Sequence, residues 1–451
     1  MKIHILFAFV ACAVFCLVAI NEVHAVGRGE ILVTDYPSIQ AAVDANPGRM
    51  IHVPAGEYRI EKSIDIRTSD TGLYGYGTII QTNPDAPIIR IRNTEETRLE
   101  DLTLTRSEGA RKTHRDGVLV FQGQRFQLMN LHIIDNHSDN AAIRIHQGHD
   151  GRVEGCEIIN YKRIGVEDRT ANPLYGFAFR SIIGDGIVVN PGTQIRIAHN
   201  IIIEKRIDSG EEAKEQFKLG QLTEGRAPTQ RGKLAPPGDY VPNWHQGSAI
   251  TVGSPDQTSH VLITDNLIEN AGQGVDIQAD HVTFSNNIIH TAVVGIKCMH
   301  GSRNVVIANN NVSYMDLWGL VMLPGTAARR AENGRPPNVT RGNVIANNIF
   351  SDFGFGRDYH VWKSSDMRSV LYFEASPEGA PPLSDVIIQG NLVYDPSRDG
   401  SVADGNPAGD GPRYLYAVTI DPQLDLKSFQ FSGNIFHPGT RGVSNVDWKA
   451  R

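Results

Sequence analysis

The chain has 451 residues, 43 Lys and Arg against 50 Asp and Glu, a net charge of −7 with histidine neutral, and four cysteines. So mild an acidic balance creates no field that would draw nucleic acid, and no nucleic-acid partner is expected. No zinc-type cysteine or histidine spacing occurs, and four cysteines in a chain of this length do not make a disulfide framework.

At the N-terminus, Met1 and Lys2 precede an apolar run from Ile5 to Ile20, and Val23-His24-Ala25 supplies the small-x-small pattern that signal peptidase accepts. Residues 1–25 are therefore read as a signal peptide. The alternative for the run is an uncleaved membrane anchor. With the signal removed, the chain is expected to start near Val26, to be secreted or periplasmic, and to make no membrane contact. Cys12 and Cys16 fall in that segment, which leaves Cys156 and Cys298 as two buried free thiols.

From residue 97 onward one frame recurs: apolar-x-apolar-x-x-(Asn or apolar)-x-apolar. Its ten copies run from Thr97 to Leu104 around Leu102, Phe126 to Ile133 around Leu131, Arg152 to Ile159 around Cys156, and Ile195 to Ile202 around Asn200. They continue from Val261 to Ile268 around Asn266, Val282 to Ile289 around Asn287, Val305 to Val312 around Asn310, and Asn343 to Phe350 around Asn348. The last two are Val386 to Val393 around Asn391 and Phe429 to Phe436 around Asn434. The first half of the frame has period two and reads as a strand with one buried face; the asparagine sits where the chain bends. An inward amide needs partners, and stacked coils about 4.8 Å apart would provide them. Asn266, Asn287 and Asn310 lie 21 and 23 residues apart, the length of one three-strand coil.

Another strand precedes each copy, often opened by glycine: Gly117 to Val120, Ala142 to Ile145, Gly186 to Val189, Ala249 to Val252, Gly274 to Ile277, Gly295 to Cys298, Gly319 to Met322, Leu371 to Phe373 and Val418 to Ile420. Spacing near one coil favours a solenoid over a β-sandwich or propeller. Residues 26–451 are thus expected to form one domain, an all-β, right-handed parallel β-helix with three sheets. Insertions are expected at about 205–244, 326–341 and 352–370, the first with a short helix around Glu211 to Leu219; as the longest loop it is read as a groove wall.

The segment Tyr36-Pro37-Ser38-Ile39-Gln40-Ala41-Ala42-Val43, followed by Ile51-His52-Val53-Pro54-Ala55-Gly56-Glu57-Tyr58, resembles the entrance of pectate-lyase-like parallel β-helices. With the ten copies, the resemblance spans roughly residues 30 to 440. It implies a short amphipathic helix capping the apolar core and a coiled-strand body. The superfamily includes polysaccharide lyases, polygalacturonase-type hydrolases, uronate epimerases, fructan-cleaving transferases and adhesins, so the fold does not choose the reaction. The polygalacturonase motifs and the aspartate-proline-histidine motif of alginate epimerases are missing. So is a clear aspartate cluster for the calcium of pectate lyases; no cofactor is assigned and calcium stays open. Such helices occur as monomers or homotrimers.

If the glycine-led strands stack in register, the residues between their inward members form an outward column: Leu119, Arg144, Val188, Thr251, Asp276, Lys297, Val321, Tyr372, Thr419. A neighbouring column holds His146, Asn190, Gly253, Gln278, Met299, Leu323, Glu374 and Asp421. Such a polar and aromatic strip suits a sugar chain. Asp276 and Lys297 fall on adjacent coils. A lyase needs a base for the proton beside a uronate carboxylate and a cation to hold that carboxylate. Lys297 is the expected base, with its pKa lowered by His300 or Arg303, and Arg144 or an arginine from the 326–341 insertion (Arg329, Arg330, Arg335 or Arg341) would bind the acid. Hydrolysis would instead pair Asp276 with Glu374. The plain alternative for Asp276 and Lys297 is a surface ion pair. His245 closes the long insertion and is a further catalytic candidate, and Trp244 and Tyr372 are candidates for stacking on a sugar; both aromatics can equally serve as packing. His146 and His149 lack an evident third metal ligand. The expected function is a secreted carbohydrate-active enzyme on an acidic polysaccharide or oligosaccharide, by elimination ahead of hydrolysis or epimerisation. The alternative is a non-catalytic carbohydrate-binding adhesin.

Overall fold

Alternation in each copy becomes a strand with one buried face. In Asp280–Ser285, for example, Val282 and Phe284 are buried while His281 and Thr283 are not. The computed structural model describes residues 29–164, 182–205, 247–324, 337–353, 369–376, 379–395, 412 and 414–448. After each first-face strand the chain bends through one residue in the left-handed region. Asp101, Asn130, Gly155, His199, Asp265, Asn286, Asn309, Asn347, Gly390 and Gly433 hold this position in the ten copies, with φ between 51° and 67°. These residue types tolerate that conformation best, which explains why the bend reads Asn-Asn, Asp-Asn or Gly-Asn.

Twelve first-face strands, from Met50–His52 to Phe429–Ser432, pair in parallel as one sheet. The strands of the other two faces form a single sheet of 21, because Leu267–Ile277, Ile288–Met299 and Asn311–Leu323 run unbroken through the corner between them. A small antiparallel pair, Arg163–Ile164 with Ile182–Ile183, lies outside both. The three expected faces are therefore present as two hydrogen-bonded sheets, and the fold is a right-handed parallel β-helix.

The asparagines stack into one internal column. Asn200, Asn266, Asn287, Asn310, Asn348 and Asn391 each donate from Nδ2 to Oδ1 of the next, at 2.9–3.0 Å, ending on Asn434. Each Oδ1 also accepts the backbone N–H of the preceding member, and Nδ2 bonds a carbonyl of the neighbouring coil, such as Ile263 O for Asn287. The inward amide is thus fully satisfied. Below Asn200 the column passes to Cys156, Leu131 and Leu102, all fully buried; Cys156 and Cys298 are free thiols. The helix Ile39–Ala45 caps the N-terminal end, with Ser38 Oγ accepting from Ala41 N at 3.1 Å and Ile39, Ala42 and Val43 buried. At the other end Trp448 stacks on Phe431 at 4.5 Å. The expected signal segment lies outside the described residues. Among the described residues no helix is long and apolar enough to cross a membrane.

Asn287→Ala strands the backbone N–H of Asn266 in a dry column and removes one of the acceptors of its side-chain amide, so it is expected to cost about 1–3 kcal/mol. Asn434→Ala, at the half-exposed end, is expected to cost under about 1.5 kcal/mol. Urea midpoints check this: equal losses would mean that the ladder is not what holds the coils.

Candidate functional site

The glycine-led strands stack as the third face. Glycine opens them because a Cβ on Gly274 would lie 2.5 Å from Gly295 O, and one on Gly295 2.6 Å from Gly319 O. Pairing puts Leu119, Arg144, Val188, Thr251, Asp276, Lys297, Val321, Tyr372 and Thr419 in one register column, with Asp65 and Arg90 extending it toward the capping helix. The column is not open along its whole length. Val188, Asp276, Val321, Tyr372 and Thr419 are buried, whereas Arg144, Thr251 and Lys297 keep part of their surface in solvent.

Asp276 and Lys297 meet as expected. Lys297 Nζ lies 3.4 Å from Asp276 Oδ2 and 3.4 Å from Gln273 Oε1, and Gln278 Nε2 donates to the same Oδ2 at 3.1 Å. Asp276 Oδ1 is buried without a partner. Lys297 Nζ is thus held between two acceptors, Asp276 and Gln273. His300 closes this strand with φ 52° and donates from Nδ1 to Pro324 O at 3.2 Å. That bond leaves the lone pair on Nε2, and burial lowers the histidine pKa below its usual 6.5, while Asp276 and Lys297 act on it with opposite sign.

Other expectations are corrected by position. Arg303 does not adjoin Lys297, because it pairs with Asp280 at 3.3 Å on the first face. Arg341 also belongs to the first face, in Arg341–Ala346. Asp276 and Glu374 are three rungs apart, about 14 Å, against the roughly 5–9.5 Å that glycoside hydrolysis requires. Tyr372 is buried and stacks on Trp318 at 5.4 Å, so it offers no open ring to a sugar. Arg144 stands four rungs from Lys297, about 19 Å, too far to hold the same carboxylate. His146 bonds Asn190 O and stacks on Phe121, and His149 bonds Thr193 Oγ1. Trp244, His245, Arg329, Arg330, Arg335 and the proposed helix near Glu211 lie outside the described residues.

A second polar group went unread in the sequence. Asp116 and Asp185 each stand just before a strand-opening glycine and reach forward one coil. Asp116 Oδ1 accepts from Ala141 N and Arg144 Nε at 3.1 and 3.0 Å; Asp185 Oδ1 accepts from Ser248 N and Thr251 Oγ1 at 2.6 and 3.2 Å. Burial raises the pKa of both carboxyls. Near Asp185, Lys162 is fully buried with no hydrogen-bond partner for Nζ, and burial brings its pKa down to about 8. The recurring Asp-Gly at 116–117 and 185–186 was the available signal. Among the described residues no group of three or more His, Cys, Asp or Glu side chains could hold a metal ion.

The family described as right handed beta helix region matches residues 243–407. No curated protein matches the chain. Among solved structures, DFA-IIIase from Arthrobacter chlorophenolicus without its lid is similar at 12% identity and TM-score 0.55, covering 92% of this chain and 96% of its own. A tailspike double mutant of E. coli bacteriophage HK620 is similar at 12% identity and TM-score 0.50, covering 90% and 76%. At such identities the likeness shows the fold.

Asp185→Asn keeps an acceptor for both bonds and removes a charge that burial penalises. The folded-state pKa of Asp185 is raised, so wild type loses stability as pH rises above the unfolded value of about 3.9. The variant is expected to melt at or above wild type near neutrality and to lose that advantage toward pH 4. A constant difference across that range in thermal scans would contradict the buried-charge account.

Proposed function

We propose that this protein is an exported enzyme that cleaves an acidic polysaccharide by β-elimination on the third face. The observation that carries the reading is the grouping of Lys297 with the His300 imidazole, whose Nδ1 is engaged by Pro324 O and whose pKa burial lowers below the usual 6.5. Lys297 holds a uronate carboxylate as negative charge builds beside it. His300 Nε2 takes the proton from the adjacent carbon, those electrons form a double bond, the bond to the neighbouring sugar's oxygen breaks, and the imidazolium returns the proton to that oxygen. Asp276 and Gln273 keep the ammonium aimed at the surface. Carbohydrate-active proteins among the structural neighbours, including DFA-IIIase in complex with DFA-III and with GF2, support a saccharide ligand.

Incubation with polyuronates and sulfated glycans, followed by ultraviolet absorbance and reducing-end assays, tests this. New absorbance is expected. Reducing ends without absorbance would point to hydrolysis, and binding without either product to an adhesin. His300→Ala is expected to lose roughly 10²–10⁴ in kcat, and Lys297→Ala to act mainly by raising KM. Because the base must be neutral, the rate is expected to fall with acidification, half-maximal below the ordinary histidine value of 6.5. Full activity in both variants would remove this site.

A further inference from the structure

We infer that His260 and His281, on adjacent coils of the first face, chelate a divalent transition-metal ion between them, copper(II) most tightly. The site is independent of the elimination chemistry and lies on a different sheet from Lys297 and His300.

The two residues are in register. Ser259 pairs with Asp280 and Val261 with Val282, so one histidine sits above the other, each at a left-handed bend with φ 57° and 51°. Both are exposed, and their rings stack at 4.9 Å with 6° between the planes. The rings are also turned the same way. His281 Nδ1 lies 2.9 Å from Asp280 Oδ1, and His260 Nδ1 lies 3.0 Å from Oγ of Ser259, the register partner of Asp280. Each Nδ1 thus faces the residue before it, and the two Nε2 atoms lie together on the opposite side of the rings, about one rung apart. No hydrogen bond to either Nε2 occurs among the described residues. A carboxylate on Nδ1 keeps the proton there and the lone pair on Nε2, as in metal-binding histidines generally. Asp280 is itself fixed, accepting from Asn304 Nδ2 at 2.8 Å and pairing with Arg303 Nη2 at 3.3 Å. The Ser259 hydroxyl can accept from Nδ1 of His260 in the same way.

Distance decides whether one ion reaches both rings. Metal–nitrogen bonds of about 2.0–2.1 Å, at a square or tetrahedral angle, bring the two nitrogens to about 2.9–3.4 Å. From a ring separation of 4.9 Å, each imidazole must lean inward by about 0.8–1 Å. Exposed rings make so small a change in their χ angles without disturbing any packing. Two protein ligands leave the remaining positions to water, so the site is open, and it needs no third ligand side chain, of which the described residues offer none. Imidazole suits copper, nickel and zinc, and with the same ligands copper(II) binds most tightly.

Calorimetric titration of the untagged full chain with copper(II), nickel(II) and zinc(II), with electron paramagnetic resonance of the copper-loaded protein, tests the inference. A site tightest for copper is expected, with nitrogen couplings from two imidazoles. His260→Ala and His281→Ala are each expected to weaken copper at this site about a hundredfold, and the double variant no further than either, because a chelate is lost as a unit. Asp280→Asn keeps an acceptor for Nδ1 without its charge and is expected to weaken copper about tenfold. Both histidines are exposed, so the melting temperature without metal is expected to stay that of wild type, while the rise that copper brings by joining two coils requires both. Copper binding unchanged in either single variant, or a spectrum with one imidazole, overturns the chelate and leaves the pair as surface stacking. Turnover on polyuronates is expected to be indifferent to both substitutions, so the metal site and the elimination chemistry stand or fall separately.

Discussion

The constraint on which everything else depends is that the interior amide column and the parallel ladders must keep the same rung spacing. Each Asn can satisfy its neighbour only if successive coils lie one strand spacing apart and in register. Slippage by one residue would turn every buried valine and isoleucine outward and break the amide chain at once. That coupling turns a sequence position into a position on a surface. Residues 21 to 66 apart in the chain, such as Asp276 and Lys297 or Asp185 and Thr251, become neighbours by rule rather than by chance.

The insertions follow from the same constraint. Whatever leaves the coil between second and third faces must return to the next rung in register, as Ser248–Val252 does on Asp185–Val189 after a separation of more than 60 residues. The ladder tolerates long excursions because closure entropy grows slowly with loop length while the hydrogen bonds recovered do not change. Side chains at the departure points are accordingly tied down. Glu204 accepts the backbone N–H groups of Lys162 and Lys205 at 2.8 Å each, clamping two successive exits together.

How much could be read in advance depended on which side of the strand carried the information. Inward positions were legible, since only apolar residues or a self-pairing amide fit there, and the outward column from Leu119 to Thr419 followed by parity alone. The meeting of Asp276 with Lys297 came with it. Side-chain direction at corners was not legible. Asp116 and Asp185 share the parity of inward residues but stand at the corner, where the carboxyl swings forward to the next coil; period two has no term for that. Tyr372 was placed in the right column, yet its ring is covered by Trp318, a residue brought in by the irregular pairing of Asn311–Leu323 with Ile288–Met299. Arg303 was near Lys297 in sequence and on a different face in space, because three residues suffice to turn a corner.

Burial divides the third face in two, and the division bears on function. From Val321 onward the column is covered, and packing of that kind contributes stability, although Thr419 Oγ1 is buried there without a hydrogen-bond partner. From Arg144 to His300 it carries charges that are only partly solvated, each needing a partner to offset its desolvation. Asp185 has a raised pKa, Lys162 a lowered one with no hydrogen-bond partner for Nζ, and Asp276 an oxygen left unpaired; none of these is what a coil selected only for stability would hold. A solenoid can carry this cost locally because each coil leans on its neighbours, and the fully apolar rungs on either side supply the stability that the charged ones lack. Under the proposed function, these polar rungs lie where a ligand would offset their desolvation.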